Sequence, residues 1–431
     1  MDPKGGTSMS EKIKRMLRES MQVLLPGKGI THKLSVPEQK TLSRFEDLKY
    51  YSDLFYLCGK CGTCRYVFQD AYWMRTCPSG ELRKFESYYL GGKNLLLWGL
   101  STGKLKWSES LAEIFFHCTL CGNCVQQCQI PEIHHYALEW LQAVREEAVK
   151  NGYGMPKHLQ FGQYVEEKHN PYGEPHEERV SWLKNEKLPE KAEVVYFVGC
   201  TSSYRRRNIA EATWTILKAA NVDVTIASDE WCCGSPLVWT GQADIARKCA
   251  EHNINEIEKT GAGKVVTSCA GCYRMLKEVY REKFKLDYGF EVIHSPAYAL
   301  ELIEKGLIKL NGGEPLKVTY HDPCHIGRHM GVYEEPRRLI EKIPGVELVE
   351  MPRNRWNAWC CGAGAGVRSA FPELSSFAAN ERIREAEGTG AQMLTSACPF
   401  CNRNLDDAAK ASGSQLKVID LMELLASRLQ R

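Results

Sequence analysis

The cysteines constrain this chain more than any other residues, because all but one of the 19 fall into four groups. Two groups open with the spacing C-x2-C-x2-C: Cys58, Cys61, Cys64 and Cys77, and then Cys118, Cys121, Cys124 and Cys128. Two further groups repeat a longer pattern in the C-terminal half. Cys249 alone stands apart, in the middle of a predicted helix, and is predicted to be a buried structural cysteine.

The remaining composition gives no other reason for so many cysteines. With 43% hydrophobic and 25% charged residues, the chain has the composition of an ordinary globular protein that needs no disulfides to fold. Residues 1–30 lack the continuous apolar stretch of a signal peptide, and no run of about 18 apolar residues occurs. Metal ligation in the reducing cytoplasm is therefore predicted, with any membrane association through a partner subunit.

The charge pattern does not indicate nucleic-acid binding. The net charge is only +3, and the charged residues are interleaved along the chain. A basic and apolar stretch over residues 10–25 has helical spacing. It predicts a helix that packs on its own protein or docks on a partner or a membrane surface.

The two N-terminal groups predict two cubane [4Fe-4S] clusters. Three thiolates at C-x2-C-x2-C spacing wrap one face of a cubane, and a more distant cysteine completes it. In two-cluster ferredoxins the fourth cysteine of each run ligates the other cluster. Cys128 is accordingly assigned to the first group and Cys77 to the second. The spacing is irregular, because twelve residues separate Cys64 from Cys77 where three are usual.

Structural zinc is the alternative metal for these two groups. Zinc sites use two C-x2-C pairs, so the third cysteine at the same spacing has no role in them. About forty residues separate the groups, with apolar residues at helical spacing over 95–100 and 111–116. This layout resembles the α-helical ferredoxin domain of succinate dehydrogenase iron–sulfur subunits.

The C-terminal half contains an internal repeat of five cysteines. The two copies are Cys200, Cys232, Cys233, Cys269 and Cys272, and then Cys324, Cys360, Cys361, Cys398 and Cys401. The two long intervals are 31 and 35 residues in the first copy and 35 and 36 in the second. A glycine follows each adjacent pair, at Gly234 and Gly362, where a missing side chain would let the backbone approach a metal cluster closely.

Buried β-strands precede these cysteines in both copies. VVYFVGC, VDVTIAS and KVVTSC read as strands in the first copy, and KVTYHDPC, VELVEM and AQMLTSAC in the second, with amphipathic helices between them. Such βαβ units form parallel sheets whose carboxyl ends share one edge, so cysteines far apart in sequence are expected to converge there.

The repeated pattern resembles the CCG domain found in the B-type and D-type components of heterodisulfide reductases. The resemblance implies one noncubane [4Fe-4S] cluster in each five-cysteine set, whose ten cysteines would be catalytic. A two-cluster ferredoxin domain followed by two CCG domains resembles the D-type component over roughly residues 50 to 431. Relatives with this layout include iron–sulfur subunits of glycolate and lactate oxidases and of membrane redox complexes in sulfate reducers.

Polar residues beside the repeat are further candidates. In the segment HDPCHIGR, His321, His325 and Arg328 flank Cys324 and could donate hydrogen bonds to a cluster, or act as ordinary core residues. The arginines at 205–207 follow Cys200 and could meet an anionic substrate, although a solvated helix start fits them as well.

The predicted fold is an α-helical ferredoxin-like domain followed by an α/β half of two duplicated parallel-sheet CCG domains. The predicted divisions are an N-terminal extension, the ferredoxin domain, an extended linker, and the two CCG domains: 1–49, 50–150, 151–190, 191–312 and 313–431. Without a GxGxxG or P-loop motif, the chain is not expected to bind a flavin or nucleotide itself.

Three functions are compatible with the sequence. The leading hypothesis is a heterodisulfide-reductase-type oxidoreductase that reduces a small-molecule disulfide, or oxidises thiols, as one subunit in a complex. The second is an electron relay between a flavoprotein dehydrogenase (lactate, glycolate or acyl-CoA linked) and a quinone or cytochrome partner. The third is a zinc-binding interaction protein. In the first two, a flavoprotein or a membrane cytochrome or quinone-reactive subunit supplies or accepts electrons.

Overall fold

A computed structural model describes residues 45–69, 72–184 and 186–430. These residues belong to one compact unit, Ser43–Arg431. The helix predicted over residues 10–25 lies outside the described residues. None of the described helices is long and apolar enough to cross a membrane.

The ferredoxin-like part is mainly helical, and two short strands form its only described sheet. Its helices are α1 (Pro78–Arg83), α2 (Leu90–Ser101), α3 (Glu109–Phe116), α4 (Asn123–Gln126) and α5 (Pro131–Lys150), after a 3-10 helix at Leu48–Leu57. The strands β1 (Tyr66–Gln69) and β2 (Tyr72–Arg75) pair antiparallel. This hairpin occupies most of the long interval between Cys64 and Cys77, and it was not predicted.

The linker that was predicted to be extended is largely helical. It contains α6 (Pro156–Lys168) and a 3-10 helix at His176–Leu183. Proline at the first position of α6 is compatible with a helix, because the N–H at that position has no partner within a helix. His158 and Val165 are buried on the inner face of α6, so this segment is packed against the rest of the protein.

Two parallel four-stranded sheets form the C-terminal half, which confirms the predicted fold class. The first has the order β4 (Val224–Thr225), β3 (Val194–Phe197), β5 (Lys264–Thr267), β6 (Glu291–His294). The second has the order β8 (Val346–Leu348), β7 (Leu316–His321), β9 (Met393–Ser396), β10 (Lys417–Asp420). The predicted strands are all present, whereas the outer strands β6 and β10 were not predicted.

Helices cover these sheets and carry the connections between parallel strands. In the first domain they are α7 (Cys200–Tyr204), α8 (Arg207–Ala219), α9 (Ser235–Val238), α10 (Ala243–Lys259), α11 (Ala270–Arg274), α12 (Tyr280–Glu282) and α13 (Ser295–Glu304). In the second they are α14 (Glu334–Glu341), α15 (Val367–Ala370), α16 (Pro372–Glu387), α17 (Pro399–Ser412) and α18 (Leu421–Ala426). Cys249 is buried in α10, as predicted.

A shared apolar core joins the ferredoxin-like part to the second CCG domain. It is built from residues of α3, α5, α15 and α16, with the short turn before α16: Ala112, Phe116, Ala148, Val367, Phe371 and Leu374. Burial of these side chains removes apolar surface from water, which holds the two parts in a fixed arrangement.

Candidate metal centres

The first N-terminal cysteine group is completed by a cysteine of the second group. Cys58, Cys61 and Cys64, on the loop after the first 3-10 helix, line one cavity together with Cys128. Cys61 is the exposed member, whereas the other three are half-buried. The backbone of Gly91 hydrogen-bonds the Cys64 sulfur. This cavity therefore lies close to the protein surface.

The second group is completed by Cys77 and lies deeper. Cys77, Cys118, Cys121 and Cys124 line a second cavity. The amide of Gly80 donates to the Cys77 sulfur at 3.4 Å, and burial raises the pKa of the Cys77 thiol to about 12. These four cysteines are the set assigned from the crossed ligand pattern of two-cluster ferredoxins.

A buried lysine that the sequence analysis missed lies beside this second cavity. The Lys93 side chain is fully buried, and its ammonium donates to the Tyr88 carbonyl at 2.8 Å. Burial lowers its pKa, while the nearby thiols of Cys118 and Cys77 favour its charged form. A buried cation is stable here only beside negative charge, which thiolates and a bound cluster would supply.

The five cysteines of the first CCG domain converge at the carboxyl ends of its strands. The Cys200 and Cys232 sulfurs are 3.7 Å apart, and those of Cys233 and Cys272 are 3.3 Å apart. Cys269 follows β5 directly and is the N-cap residue of α11. The turn before Cys200 is held by Glu230, a missed residue whose carboxylate accepts from the amides of Val198 and Gly199, both at 2.8 Å. Burial raises the pKa of Glu230 to about 7.

The second CCG domain repeats this arrangement. The Cys361 and Cys401 sulfurs are 3.3 Å apart. The Asn404 amide donates to the Cys361 carbonyl at 2.7 Å and holds the adjacent pair in place. A ring nitrogen of His321 lies within 4.8 Å of the Cys361 and Cys401 sulfurs. His321 is buried, and burial lowers its pKa to about 3, so it is neutral at neutral pH.

The two predicted glycines have a role different from the one expected. Gly234 and Gly362 have φ of 84° and 86°, which favours glycine. A Cβ on Gly362 would lie 2.6 Å from the Ser375 carbonyl of α16, and one on Gly234 would lie 3.0 Å from the Ala246 Cβ of α10. The missing side chain therefore makes room for a helix rather than for a cluster. The glycine amides do face the sites, donating to the Cys232 sulfur at 3.4 Å and the Cys360 sulfur at 3.3 Å.

The two CCG sites face each other across a cavity of about 350 Å³. Every CCG cysteine except Cys232 lines it. Aromatic side chains complete much of the wall: Phe161, Tyr172, Trp239 and Phe400. The cavity therefore combines two facing groups of thiols with an apolar enclosure.

His325 also lines this cavity, in agreement with its predicted place near the site. Its ring lies 5.3 Å from that of Trp239 and 5.0 Å from that of His329. Burial, together with the charge of Arg274, lowers the pKa of His325 to about 3. Its imidazole is thus neutral at physiological pH, with one ring nitrogen able to donate a hydrogen bond and the other able to accept one.

Direct thiol contacts link the cysteine sets across the domains. The Cys121 thiol interacts with the Cys360 thiol, and this contact raises the pKa of Cys121. The Cys269 thiol likewise interacts with that of Cys398, and this contact lowers the pKa of Cys398. The inner ferredoxin cavity therefore meets the second CCG site, and that site meets the first.

Two buried arginines fix these relationships. Arg328 donates to the Cys121 carbonyl at 2.7 Å and to the Ala358 carbonyl at 2.6 Å. Arg145, on α5, donates to the carbonyls of Cys118 at 2.5 Å, Trp239 at 2.7 Å and Ala365 at 3.1 Å. Arg145 thus bridges the ferredoxin-like part and both CCG domains, and the sequence analysis missed it.

The arginines at 205–207 divide between the cavity and the domain interface. Arg205 lines the cavity and pairs with Glu174 at 2.6 Å. Arg206 pairs with Asp406 of the second domain, also at 2.6 Å. Arg207 pairs with Glu178 at the surface. Only Arg205 is therefore placed to meet a molecule in the cavity.

The donor sets fit iron–sulfur clusters. Each N-terminal cavity offers four thiols, and each CCG site offers five, with backbone amides directed at sulfur. Five thiols exceed the four ligands of a tetrahedral zinc site. The CCG cysteines are buried or half-buried, a setting in which hydrogen bonds and limited solvent access tune a cluster's potential.

Two family models match the chain. A 4Fe-4S dicluster domain matches residues 45–130, and the cysteine-rich CCG domain matches residues 194–277 and 318–406. Iron–sulfur cofactors are thereby supported for both halves of the chain.

Curated relatives share this layout. The D-type component of the dihydromethanophenazine:CoB–CoM heterodisulfide reductase of Methanosarcina barkeri is 40% identical over 318 residues, which cover 72% of this chain and 77% of that protein. The B-type component of a fumarate reductase (CoM/CoB) of Methanothermobacter marburgensis is 29% identical over 73% of this chain and 61% of its own length.

One solved structure shows the same fold. A hypothetical protein from Helicobacter pylori superposes with a TM-score of 0.53 at 10% identity, covering 89% of this chain and 76% of that one.

Proposed function

Since the chain belongs to the family of D-type heterodisulfide reductase components, and is thus an iron–sulfur subunit in an oxidoreductase, we propose that it reduces a disulfide in the cavity between its CCG domains. Two cubane clusters would occupy the N-terminal cavities and two noncubane clusters the CCG sites. The observation that supports this function is the pair of five-cysteine sets facing each other across one enclosed cavity.

The protein residues define what such a site can do. When bound, the clusters supply single electrons and iron sites with an affinity for sulfur. The two cysteine sets place these sites on opposite walls, so each sulfur of a disulfide can meet its own wall. The aromatic walls at Phe161, Trp239 and Phe400 limit water around the scissile bond.

The overall step balances simply. The S–S bond breaks, two electrons enter through the chain's clusters, and two protons from solvent convert the two sulfurs to thiols. The reverse direction oxidises two thiols and releases two electrons and two protons. In both directions electrons pass to or from a partner, a flavoprotein or a membrane cytochrome or quinone-reactive subunit, at the surface-exposed first cavity that contains Cys61.

An electron relay is the second candidate, supported by the name of the Methanothermobacter relative, which assigns it to a fumarate reductase. In that function the CCG clusters would pass electrons onward without binding substrate. Association with a membrane would then depend on the partner subunit.

Thiol binding tests the proposal. Anaerobically purified protein is first assayed for iron and acid-labile sulfide, which separates both candidates from a zinc protein. The oxidised protein is then titrated with small thiols while EPR and visible spectra are recorded. A new paramagnetic signal is expected in the wild type and in Cys249→Ala, and it should be absent in Cys233→Ala and Cys361→Ala.

The opposite outcome is equally definite. If no thiol changes either spectrum, while the intact complex still transfers electrons to a quinone, the disulfide proposal is wrong and the relay stands.

A further inference from the structure

The charged side chains that line the cavity between the CCG domains share one sign. Apart from cysteines and His325, the charged or titratable lining residues other than Tyr172 are Arg205, Arg368 and Arg403. Within the described part of the chain no aspartate, glutamate or lysine lines this cavity. A cavity with only cationic side chains attracts anions.

Two of these arginines have carboxylate partners outside the cavity. Arg205 pairs with Glu174 at 2.6 Å, and Arg368 pairs with Asp407 at 2.5 Å. Arg368 also donates to the side-chain oxygen of Asn404. Their guanidinium groups are therefore held in position and largely compensated in charge.

Arg403 differs from both. Among the described residues no carboxylate forms an ion pair with it, and its guanidinium donates no protein hydrogen bond. Its nearest cation–π contact is the ring of Tyr172, with 5.9 Å between the guanidinium carbon and the ring centre. The side chain is half-buried, and its pKa is lowered by burial and by the neighbouring arginines. A half-buried guanidinium without a counter-charge costs free energy, which a bound anion would recover.

The position of this guanidinium is defined by a rigid platform. The Tyr172 ring carries Arg205 at 4.5 Å as well as Arg403, and its hydroxyl is 2.9 Å from the Thr201 hydroxyl. The turn that holds Tyr172 is closed by Asn170, whose side-chain oxygen accepts from the amides of Tyr172 and Glu174 at 3.1 and 3.2 Å. This preorganised turn places both Tyr172 and the carboxylate partner of Arg205, so the cationic wall needs little rearrangement to bind a ligand.

We propose that Arg403, flanked by Arg205 and Arg368, binds an anionic group of the substrate, so that the disulfide or thiol taken by this cavity carries a carboxylate, sulfonate or phosphate. The inference rests on the proposed function, because it assigns the substrate class of the same cavity. Since Arg403 follows Cys401 by two residues on α17 and both line the cavity, the anionic group would bind close to the second CCG site.

The competing role for Arg403 is to balance the negative charge of the cluster itself. The two roles differ in one respect. An arginine that recognises the substrate discriminates between charged and neutral thiols, whereas an arginine that balances the cluster changes its potential and affects both thiols alike.

A matched pair of thiols tests the proposal. The oxidised, cluster-loaded protein is titrated anaerobically with 3-mercaptopropionate and with 3-mercapto-1-propanol, and binding is followed by the change in visible and EPR spectra. Wild-type protein is expected to bind the carboxylate at least about tenfold more tightly, the value of one charge-assisted hydrogen bond. Raising the salt concentration should reduce this preference without affecting the neutral thiol.

Variants locate the preference. Arg403→Gln should lose most of the preference while its affinity for the neutral thiol stays unchanged, and Arg403→Lys should keep part of it. Arg207→Gln is the control, because Arg207 pairs with Glu178 at the surface and does not line the cavity. Iron content and redox potentials are measured for every variant.

The outcomes are distinct. Equal binding of both thiols by the wild type, or an equal loss for both in Arg403→Gln with a shifted cluster potential, overturns this inference and leaves the proposed function intact. If neither thiol changes the spectra of the wild type, the proposed function fails and this inference fails with it.

Discussion

The thiol of Cys121 in the ferredoxin-like part touches the thiol of Cys360 in the second CCG domain. Cys269 of the first domain touches Cys398 of the second in the same way. The thiol contacts therefore run from the ferredoxin-like part to the second CCG site and only then to the first. Because electron transfer becomes faster as the distance between cofactors decreases, the proposed clusters should be reduced in that order.

The order can be tested with variants that each remove one proposed cluster. A protein donor too large for the cavity, such as a reduced ferredoxin, is mixed with the protein, and EPR signals are followed by freeze-quenching. Removing the second CCG cluster with Cys361→Ala should prevent reduction of the first. Removing the first with Cys233→Ala should leave the second reducible. Equal reduction of the remaining CCG cluster in both variants would contradict the route.

The crossed fourth ligands predict the iron content of double variants. Cys77 and Cys118 line the same cavity, so Cys77→Ser combined with Cys118→Ser should lose the iron of one cluster, as each single variant does. Cys77→Ser combined with Cys58→Ser should lose the iron of two, because Cys58 lines the other cavity. Iron analysis gives the result, and Cys249→Ala is the control. If Cys77 instead behaves as a partner of Cys58, the assignment is wrong.

Arg145 should be essential for stability. It is fully buried and donates to carbonyls from three parts of the protein, so Arg145→Ala leaves several buried acceptors without partners. The free energy of unfolding should fall by about 3 kcal/mol or more. Lys305→Ala, which removes an exposed partner of Glu301, should change it by less than about 0.5 kcal/mol. Thermal unfolding under anaerobic conditions compares the two, and similar losses would refute the bridging role.

The packing of Gly362 on α16 predicts a large effect of a single methyl group. Gly362→Ala should lower the free energy of unfolding by about 3 kcal/mol, since a Cβ would lie 2.6 Å from a backbone carbonyl and φ is positive. Gly390→Ala is the matched control, because Gly390 has φ of 70° but no atom within 4 Å of an added Cβ. It should cost only about 1 kcal/mol. Equal losses would show that φ alone explains the glycine.

His158 should make stability depend on pH. Burial, with Arg145 nearby, lowers its pKa from 6.5 to about 4, and its Nε2 lies 3.0 Å from the Gly366 carbonyl. As pH falls below 6.5 the unfolded chain takes up a proton that the folded protein does not, so stability is lost on acidification. Between pH 7.5 and 5.5 the wild type should lose about 1 kcal/mol more than His158→Gln. Parallel stability curves would contradict this prediction.

The comparison of sequence and structure separates local from remote information. The C-x2-C spacings and the adjacent cysteine pairs predicted which thiols share a site, because short turns bring such residues together whatever surrounds them. The strands before Cys200, Cys269 and Cys324 were predicted for a similar reason, since runs of buried β-branched and aromatic residues are a local signal. The outer strands β6 and β10 are short, and their signal was not recognised.

Some missed features did leave a signal. Arg145 lies on the buried face of α5 together with Leu138, Trp140, Leu141 and Val144, and a charged residue on an apolar helix face is unusual. Lys93 lies in α2, where its neighbours are also buried. Both positions could have been identified as buried cations that require partners.

The sequence by itself therefore determined the ligand sets and the duplicated α/β architecture, because these depend on spacing and periodicity within short segments. Only the tertiary structure decided that the cysteine sets meet through Cys121 and Cys360, that the two CCG sites share one cavity, and that Arg403 in this cavity has no carboxylate partner among the described residues. These relationships join residues more than a hundred positions apart. They arise from the way the domains pack on one another, which no local pattern records.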